Sequence, residues 1–303
     1  MTRITKNTLL IAAFGLVTFS ISCKSSNDDI PLPNIDGYAS SDAVASANLV
    51  AYWPLDGTAT EAKQSLAATS VVNASYVTGV RGQGLSLANG YIYYASAMTG
   101  LTSNQPWTMS AWIQVANNQI PGGIPPANNH PYQYFQAAIP GQLFGSVNGL
   151  IEAGQYDVGS DTLVVKSIYK DNGGGTQDNI NNYGIAGTEY KVVKKAGTGK
   201  WVHVVTTYNP AGGTGNVESI FRIYADSALV SNTNFENRHA ASFAYTPGEV
   251  IIGGWYNNIP GKTVSADTWT TPFTGKIDEI RLFSKLLTTD EISALYHLGQ
   301  AGR

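Results

Sequence analysis

Residues 273–299 read FTGKIDEIRLFSKLLTTDEISALYHLG, and this stretch decides the fold class. Its first half alternates: Ile277, Ile280 and Leu282 are apolar, interleaved with Lys276, Asp278, Glu279 and Arg281. Period-2 patterning belongs to a strand with one buried face, and the doubled polar step at Asp278-Glu279 predicts a β-bulge. Those two carboxylates are expected on opposite faces of the strand, too far apart to share a substrate. The second half changes period. Thr288-x-x-Glu291 is a capping box, Ile292, Leu295 and Tyr296 follow at helical spacing, and Gly299 is placed to stop a short helix.

Outward from this ending the chain reads as β. Residues 48–55 alternate Leu49, Ala51, Trp53 and Leu55 up to the turn signal Asp56-Gly57. Residues 84–94 read as two short strands around Asn89-Gly90, a hairpin dipeptide. Residues 106–115 place Trp107, Met109, Ala111, Ile113 and Val115 on one face and Trp112 on the other, so one of the two tryptophans is expected to pack the convex side. Further β patterns cover 143–170, 200–209, the pair around Ala225-Asp226-Ser227, and 249–253. Three stretches, 117–140, 171–183 and 254–274, read as long loops, and loops of this length carry function more often than short ones. Asp171, Asn172 and Asp178 in the second are turn residues before they are metal ligands, since their spacing does not match an EF-hand.

The closing run resembles that of laminin-G-like, concanavalin A-like jelly-roll domains of Bacteroidetes-type surface lipoproteins. Gly275, Ile277, Asp278, Glu279, Ile280, Arg281, Leu282, Phe283, Lys285, Leu287, Thr288, Glu291, Ile292 and Leu295 carry the likeness. So do residues 49–57 (LVAYWPLDG), 107–113 (WTMSAWI) and 201–208 (WVHVVTTY), in the same order. The resemblance covers residues 47–300. It implies an all-β fold: a two-sheet antiparallel β-sandwich, a jelly roll, with one short C-terminal helix. It also implies one structural Ca²⁺ held by an early and a late acid, which fall on Asp56 and Asp278. The bland alternative has Asp56 capping its turn and Asp278 bonding backbone or Arg281. Function is left open by the resemblance, because this sandwich carries binders, enzymes and passive spacers.

Charged residues are 13% of the chain, about half the usual ~25%. A net charge of −3 with no basic stripe excludes an electrostatic nucleic-acid binder. Arg3 and Lys6 precede an apolar run at 9–21, a signal-peptide pattern too short to span a bilayer. Ser20-Ile-Ser-Cys23 then reads as a lipobox containing the chain's only cysteine. The expected organisation is a lipoprotein signal peptide at 1–22, a flexible tether at 23–46 and the sandwich domain at 47–303, with lipid on Cys23. The alternative is an ordinary secretory signal with an incidental cysteine. Asp28-Asp29 resembles the acidic export signals of outer-membrane lipoproteins, so the expected place is the outer membrane, facing the cell exterior.

No catalytic residue is expected. The Glu-x-Asp-x-Glu string of this fold's hydrolases is absent, the four histidines have no metal-ligand spacing, and no Gly-x-Ser-x-Gly elbow exists. Trp53, Trp107, Trp112 and Trp201 sit in strand patterns and read as core. Trp255 and Trp269 differ: they lie in a loop with Tyr256 and Asn257, while Tyr132 and Tyr134 lie in another. Aromatic rings stack on the apolar face of a pyranose and amides bond its hydroxyls, so these six are the candidate carbohydrate-binding residues. The favoured expectation is non-catalytic glycan binding with partner proteins of a surface glycan-uptake system. The alternatives are an adhesion or protein-interaction module, and a glycoside hydrolase with unrecognised carboxylates.

Overall fold

In a computed structural model, which describes residues 32–119, 130–181, 191–197, 199–211 and 218–303, residues Asn34–Arg303 form one unit. The signal peptide, Cys23 and the Asp28-Asp29 pair lie outside the described residues. The strands are β1 (Leu49–Trp53), β2 (Ser70–Thr78), β3 (Gln83–Tyr94), β4 (Trp107–Gln114), β5 (Tyr132–Ala138), β6 (Val147–Ile151) and β7 (Val165–Lys170). After them come β8 (Thr176–Ile180), β9 (Val202–Asn209), β10 (Ile220–Ala225), β11 (Ala228–Leu229), β12 (Glu249–Ile252) and β13 (Phe273–Phe283), then helix α1 (Thr289–Gln300).

Hydrogen bonding runs through one path, β11-β10-β9-β4-β13-β3-β12-β5-β6-β7-β8, with β1 on β13 and β2 on β3. The path folds over so that its two ends face each other. Thr206 Oγ1 on β9 bonds Ser167 Oγ on β7 at 3.1 Å, and Asn179 Nδ2 on β8 donates to the Phe221 carbonyl on β10 at 2.9 Å. Between the halves lies an aromatic core of buried Trp107, Tyr169, Tyr208, Phe221 and Phe243, in which Phe221 meets Trp107 and Tyr169 edge to face and Tyr208 stacks on Trp107. The jelly-roll sandwich with a single C-terminal helix is therefore the architecture.

Glu279 has φ 52°, and the β13–β4 register shifts between Asp278 and Arg281. This is the bulge expected from the doubled polar step. Its consequence corrects the opposite-faces expectation: Ile277 and Ile280 both join the core, so Asp278 and Glu279 both face away from it. On that outer side Arg281 Nη1 meets Glu279 Oε2 at 2.5 Å, Tyr52 Oη donates to Glu279 Oε1 at 2.7 Å, and Arg281 Nη2 reaches Asp42 Oδ1 at 2.9 Å. The Arg81 guanidinium, and then Arg281, hold the Asp42 carboxyl below its usual value.

Helix α1 covers this outer face. Thr288 Oγ1 accepts from Glu291 N at 3.2 Å and Glu291 Oε2 accepts from Thr288 N at 2.9 Å, completing the capping box. Ile292, Leu295 and Leu298 bury against Val44, Val205, Phe283 and Leu287, each removal from water being worth ~1.5–3 kcal/mol. Trp112 is the convex-side tryptophan of the pair: Tyr296 stacks over it, and it stacks in turn on His203. Burial, with the Arg281 charge, lowers His203 to about 3, so its imidazole is neutral. The stop is not Gly299, which lies inside the helix; Gly302, at φ 67°, ends it.

Other expectations need correction. Residues 84–94 form one strand, because Asn89, at φ 57°, kinks it beside the β2 and β13 register shifts instead of reversing it. Residues 132–138 and 176–180 are strands β5 and β8, not loop. Residues 34–46 are not a tether: Val44 is buried, Ser41 N donates to the Arg303 carbonyl at 3.2 Å, and Arg303 Nη2 donates to the Ala39 carbonyl at 2.7 Å.

Candidate functional site

Residues Leu150 on β6 and Ile168 on β7 point outward, out of phase with Val147, Ile151, Val165 and Tyr169, which enter the core. An apolar outward pair demands a cover, and the segment after β12 supplies it. Trp255 opens a short 3₁₀ turn (Tyr256–Asn258), where Asn258 Oδ1 accepts from Trp255 N at 2.9 Å. Its indole Nε1 donates to the Pro131 carbonyl at 3.3 Å, and the ring is fully buried on Leu150 and Ile168.

The segment then returns over itself. Asn257 Nδ2 donates to Ser265 Oγ at 2.8 Å, Asn257 Oδ1 accepts from Val264 N at 2.9 Å, and Asn258 Nδ2 donates to the Thr270 carbonyl at 2.9 Å. These bonds present the half-buried Trp269, whose ring stands at 89° to Trp255 with centroids 5.0 Å apart. Half-buried Phe144 meets Trp255 from another side at 5.9 Å. The result is a hollow of about 280 Å³ with Leu150, Ile168 and Trp255 as floor and Pro131, Phe144 and Trp269 as walls. Glu152 and Lys166 stand at its rim, with Lys166 Nζ 3.5 Å from Glu152 Oε1. Burial pushes the Glu152 carboxyl up, and Lys166 partly offsets it.

Of the six candidate residues, Trp255 and Trp269 come together here. Of the two, sequence favours Trp255 as the accessible ring with Trp269 tucked back; the structure reverses this, with Trp255 as floor and Trp269 half-exposed. Asn257 is spent on stapling its own loop. Tyr256 is buried with Tyr93 and Ile259, and Lys262 Nζ sits 5.4 Å above its ring. Tyr134 is fully buried in the core, where a Cβ at Gly149 would collide with its ring, and Tyr132 packs on Phe273 at 5.2 Å. Neither tyrosine belongs to the hollow. Phe144, Leu150, Glu152, Lys166 and Ile168 escaped sequence reasoning, although the apolar residues in both phases of β6 and β7 were a signal that both faces are covered.

Asp56 and Asp278 flank one turn. Asp56 Oδ1 accepts from Gln83 N at 2.6 Å, and Asp278 Oδ2 accepts from Val80 N at 2.7 Å. Among the described residues no three His, Cys, Asp or Glu side chains converge as metal ligands. N–H groups face one oxygen of each acid, as a turn clamp requires. Asp278 Oδ1, however, is buried without a hydrogen-bond partner, and burial with the Glu279 charge pushes this carboxyl up to about 8. That oxygen is the one feature here left for a cation, which would have to displace the proton that burial favours.

With the geometry in place, comparison with known proteins is specific about the fold. Residues 168–293 match the concanavalin A-like lectin/glucanases superfamily. The match runs from β7 into α1. No curated protein sequence matches the chain. Among solved structures, domain 4 of a GH43 extracellular arabinanase from Geobacillus stearothermophilus, in complex with arabinotriose, superposes with TM-score 0.51 at 14% identity, covering 82% of this chain and 98% of that one. The binding domain of botulinum neurotoxin DC in complex with rat synaptotagmin II gives 0.52 at 13% identity, covering 85% of this chain and 53% of that one. The same binding domain in complex with SialylT gives 0.50 at 13% identity, with the same coverage. This chain thus spans about half of the neurotoxin domain. At such identities the likeness establishes a shared fold.

Proposed function

We propose that the protein is a non-catalytic carbohydrate-binding module whose site is the Trp269 hollow. The observation that carries this is one arrangement: the half-buried rings of Trp269 and Phe144 beside an apolar floor, with the Glu152–Lys166 pair next to them. Aromatic rings stack on the apolar face of a sugar ring, while carboxylate and ammonium bond its hydroxyls. The arabinanase domain in complex with arabinotriose, matched over 98% of its length, supports the reading as a fold that accommodates a glycan. Binding is favoured over hydrolysis because the two carboxylates of this face, Glu152 and Asp178, both lean on Lys166 Nζ, at 3.5 and 3.2 Å.

A glycan array followed by calorimetry tests the proposal. Trp269→Ala removes a stacking ring worth ~0.5–1.5 kcal/mol beyond area, so affinity falls several-fold to tenfold while the melting temperature holds. A variant that binds like the parent places the site elsewhere. Prolonged incubation with the bound glycan should release no reducing ends.

The lipid anchor on Cys23 and display at the outer membrane, beside partner proteins of a glycan-uptake system, belong to the same proposal and rest on the lipobox and the Asp28-Asp29 pair. Cys23→Ser should release the chain in soluble, unacylated form; a variant still membrane-bound and labelled by fatty acid overturns the lipobox reading. One structural Ca²⁺ rests on Asp278 Oδ1. A chelator is then expected to lower the melting temperature and added Ca²⁺ to restore it, because an ion bound only by the folded state stabilises it. A melt indifferent to both leaves Asp56 and Asp278 as turn clamps.

A further inference from the structure

Beside the first hollow lies a second, of about 270 Å³, lined by Asp178, Ile180 and Phe235, and the two share Lys166. The ladder register sets them in line. Leu150 opposes Lys166, and Lys166 opposes Ile180; the next row runs Asn148, Ile168, Asp178. Directly opposed residues share a face and stand ~4.5–5.5 Å apart, so Leu150 to Ile180 spans about 10 Å at right angles to the strands.

Lys166 is a post between the two hollows. Its Nζ turns to Glu152 on one side, at 3.5 Å, and to Asp178 on the other, at 3.2 Å. At the far end the Arg238 guanidinium lies over the Phe235 ring at 5.6 Å and 3.8 Å from Asp178 Oδ1. Arg238 Nε and Nη2 are buried with no hydrogen bond, and the guanidinium backs the Phe235 ring from behind the hollow. Lys166 and Arg238 balance Glu152 and Asp178, which leaves no net charge to select an anion. Each hollow alone falls short of the ~300 Å³ at which ligand pockets begin, whereas the pair together exceeds it.

We propose that the two hollows are consecutive subsites of one groove, and that its ligand is an interior stretch of a neutral, linear glycan lying across β6, β7 and β8. One sugar unit rests on Trp269 and Phe144 and a following unit on Phe235, with Lys166 bonding both. This rests on the reading of the first hollow as a glycan site.

Calorimetry with the cello-, xylo- and arabino-oligosaccharide series, from one to six units, tests it. In a series that binds, affinity rises at least tenfold from one unit to three. Phe235→Ala loses most of that gain and leaves the single unit unchanged, whereas Trp269→Ala weakens every length. Phe235→Leu, which keeps apolar volume without the ring, serves where the alanine variant does not fold. Affinity independent of length, or a Phe235 variant that binds trimers like the parent, overturns the groove and leaves the first hollow standing. Indifference of every length to Trp269→Ala overturns the underlying reading instead. Absence of binding by all three series overturns the neutral linear class.

Discussion

Trp255→Ala is expected to lower the unfolding free energy by ~3–5 kcal/mol and to abolish glycan binding with it. The indole is fully buried, stands between Leu150 and Ile168 below and Phe144 and Trp269 beside it, and spends its one donor on the Pro131 carbonyl. Truncation opens a cavity whose lining, two strands and a stapled loop, has little freedom to collapse. Urea denaturation of the variant checks the magnitude. A loss under ~1 kcal/mol would mean that the loop re-covers β6 and β7 without its indole. The contrast with Trp269→Ala separates floor from wall: one change acts on stability, the other on affinity.

Arg281→Leu is expected to cost ~3–5 kcal/mol, because it strands a buried carboxylate. Arg281 and Glu279 are nearly inaccessible, with side chains 3% exposed each, and Arg281 also holds Asp42 of the N-terminal segment. Tyr52 Oη and Arg81, the latter at 3.7 Å, remain to Glu279 and soften the loss without removing it. The double variant Arg281→Leu with Glu279→Leu should recover much of the stability, since replacing a buried pair by apolar groups is far cheaper than breaking it. If the double variant is less stable than the single, Tyr52 and Arg81 satisfy Glu279 without Arg281 and no carboxylate is stranded.

Period-2 and helical patterning made the last strand and its capped helix legible, because there the side-chain phase alone decides which face is buried. The bulge was legible from Asp278-Glu279, but its effect was not: a single residue at positive φ placed both acids on one face. The same physics misplaced Tyr134. The β5–β6 register shifts between Gln133 and Phe135, so Tyr134 and Phe135 both enter the core. Sequence singled out Trp255 and Trp269 as a pair and favoured Trp255 as the open ring, the reverse of what the structure shows. That choice depends on Trp255 Nε1 reaching a carbonyl 124 residues away, which no local pattern encodes. Glu152 and Lys166 were invisible for a related reason, since their pairing exists only once β6 and β7 lie in register.

The central claim is that a glycan seats against Trp269. Two-dimensional NMR of the indole N–H signals during titration with a binding oligosaccharide tests it most directly. The account predicts a saturable shift of the Trp269 signal and a smaller one of Trp255, with Trp53 and Trp107, buried in the core, unmoved. Saturable shifts confined to Trp112 or Trp201, with Trp269 unchanged, would contradict it.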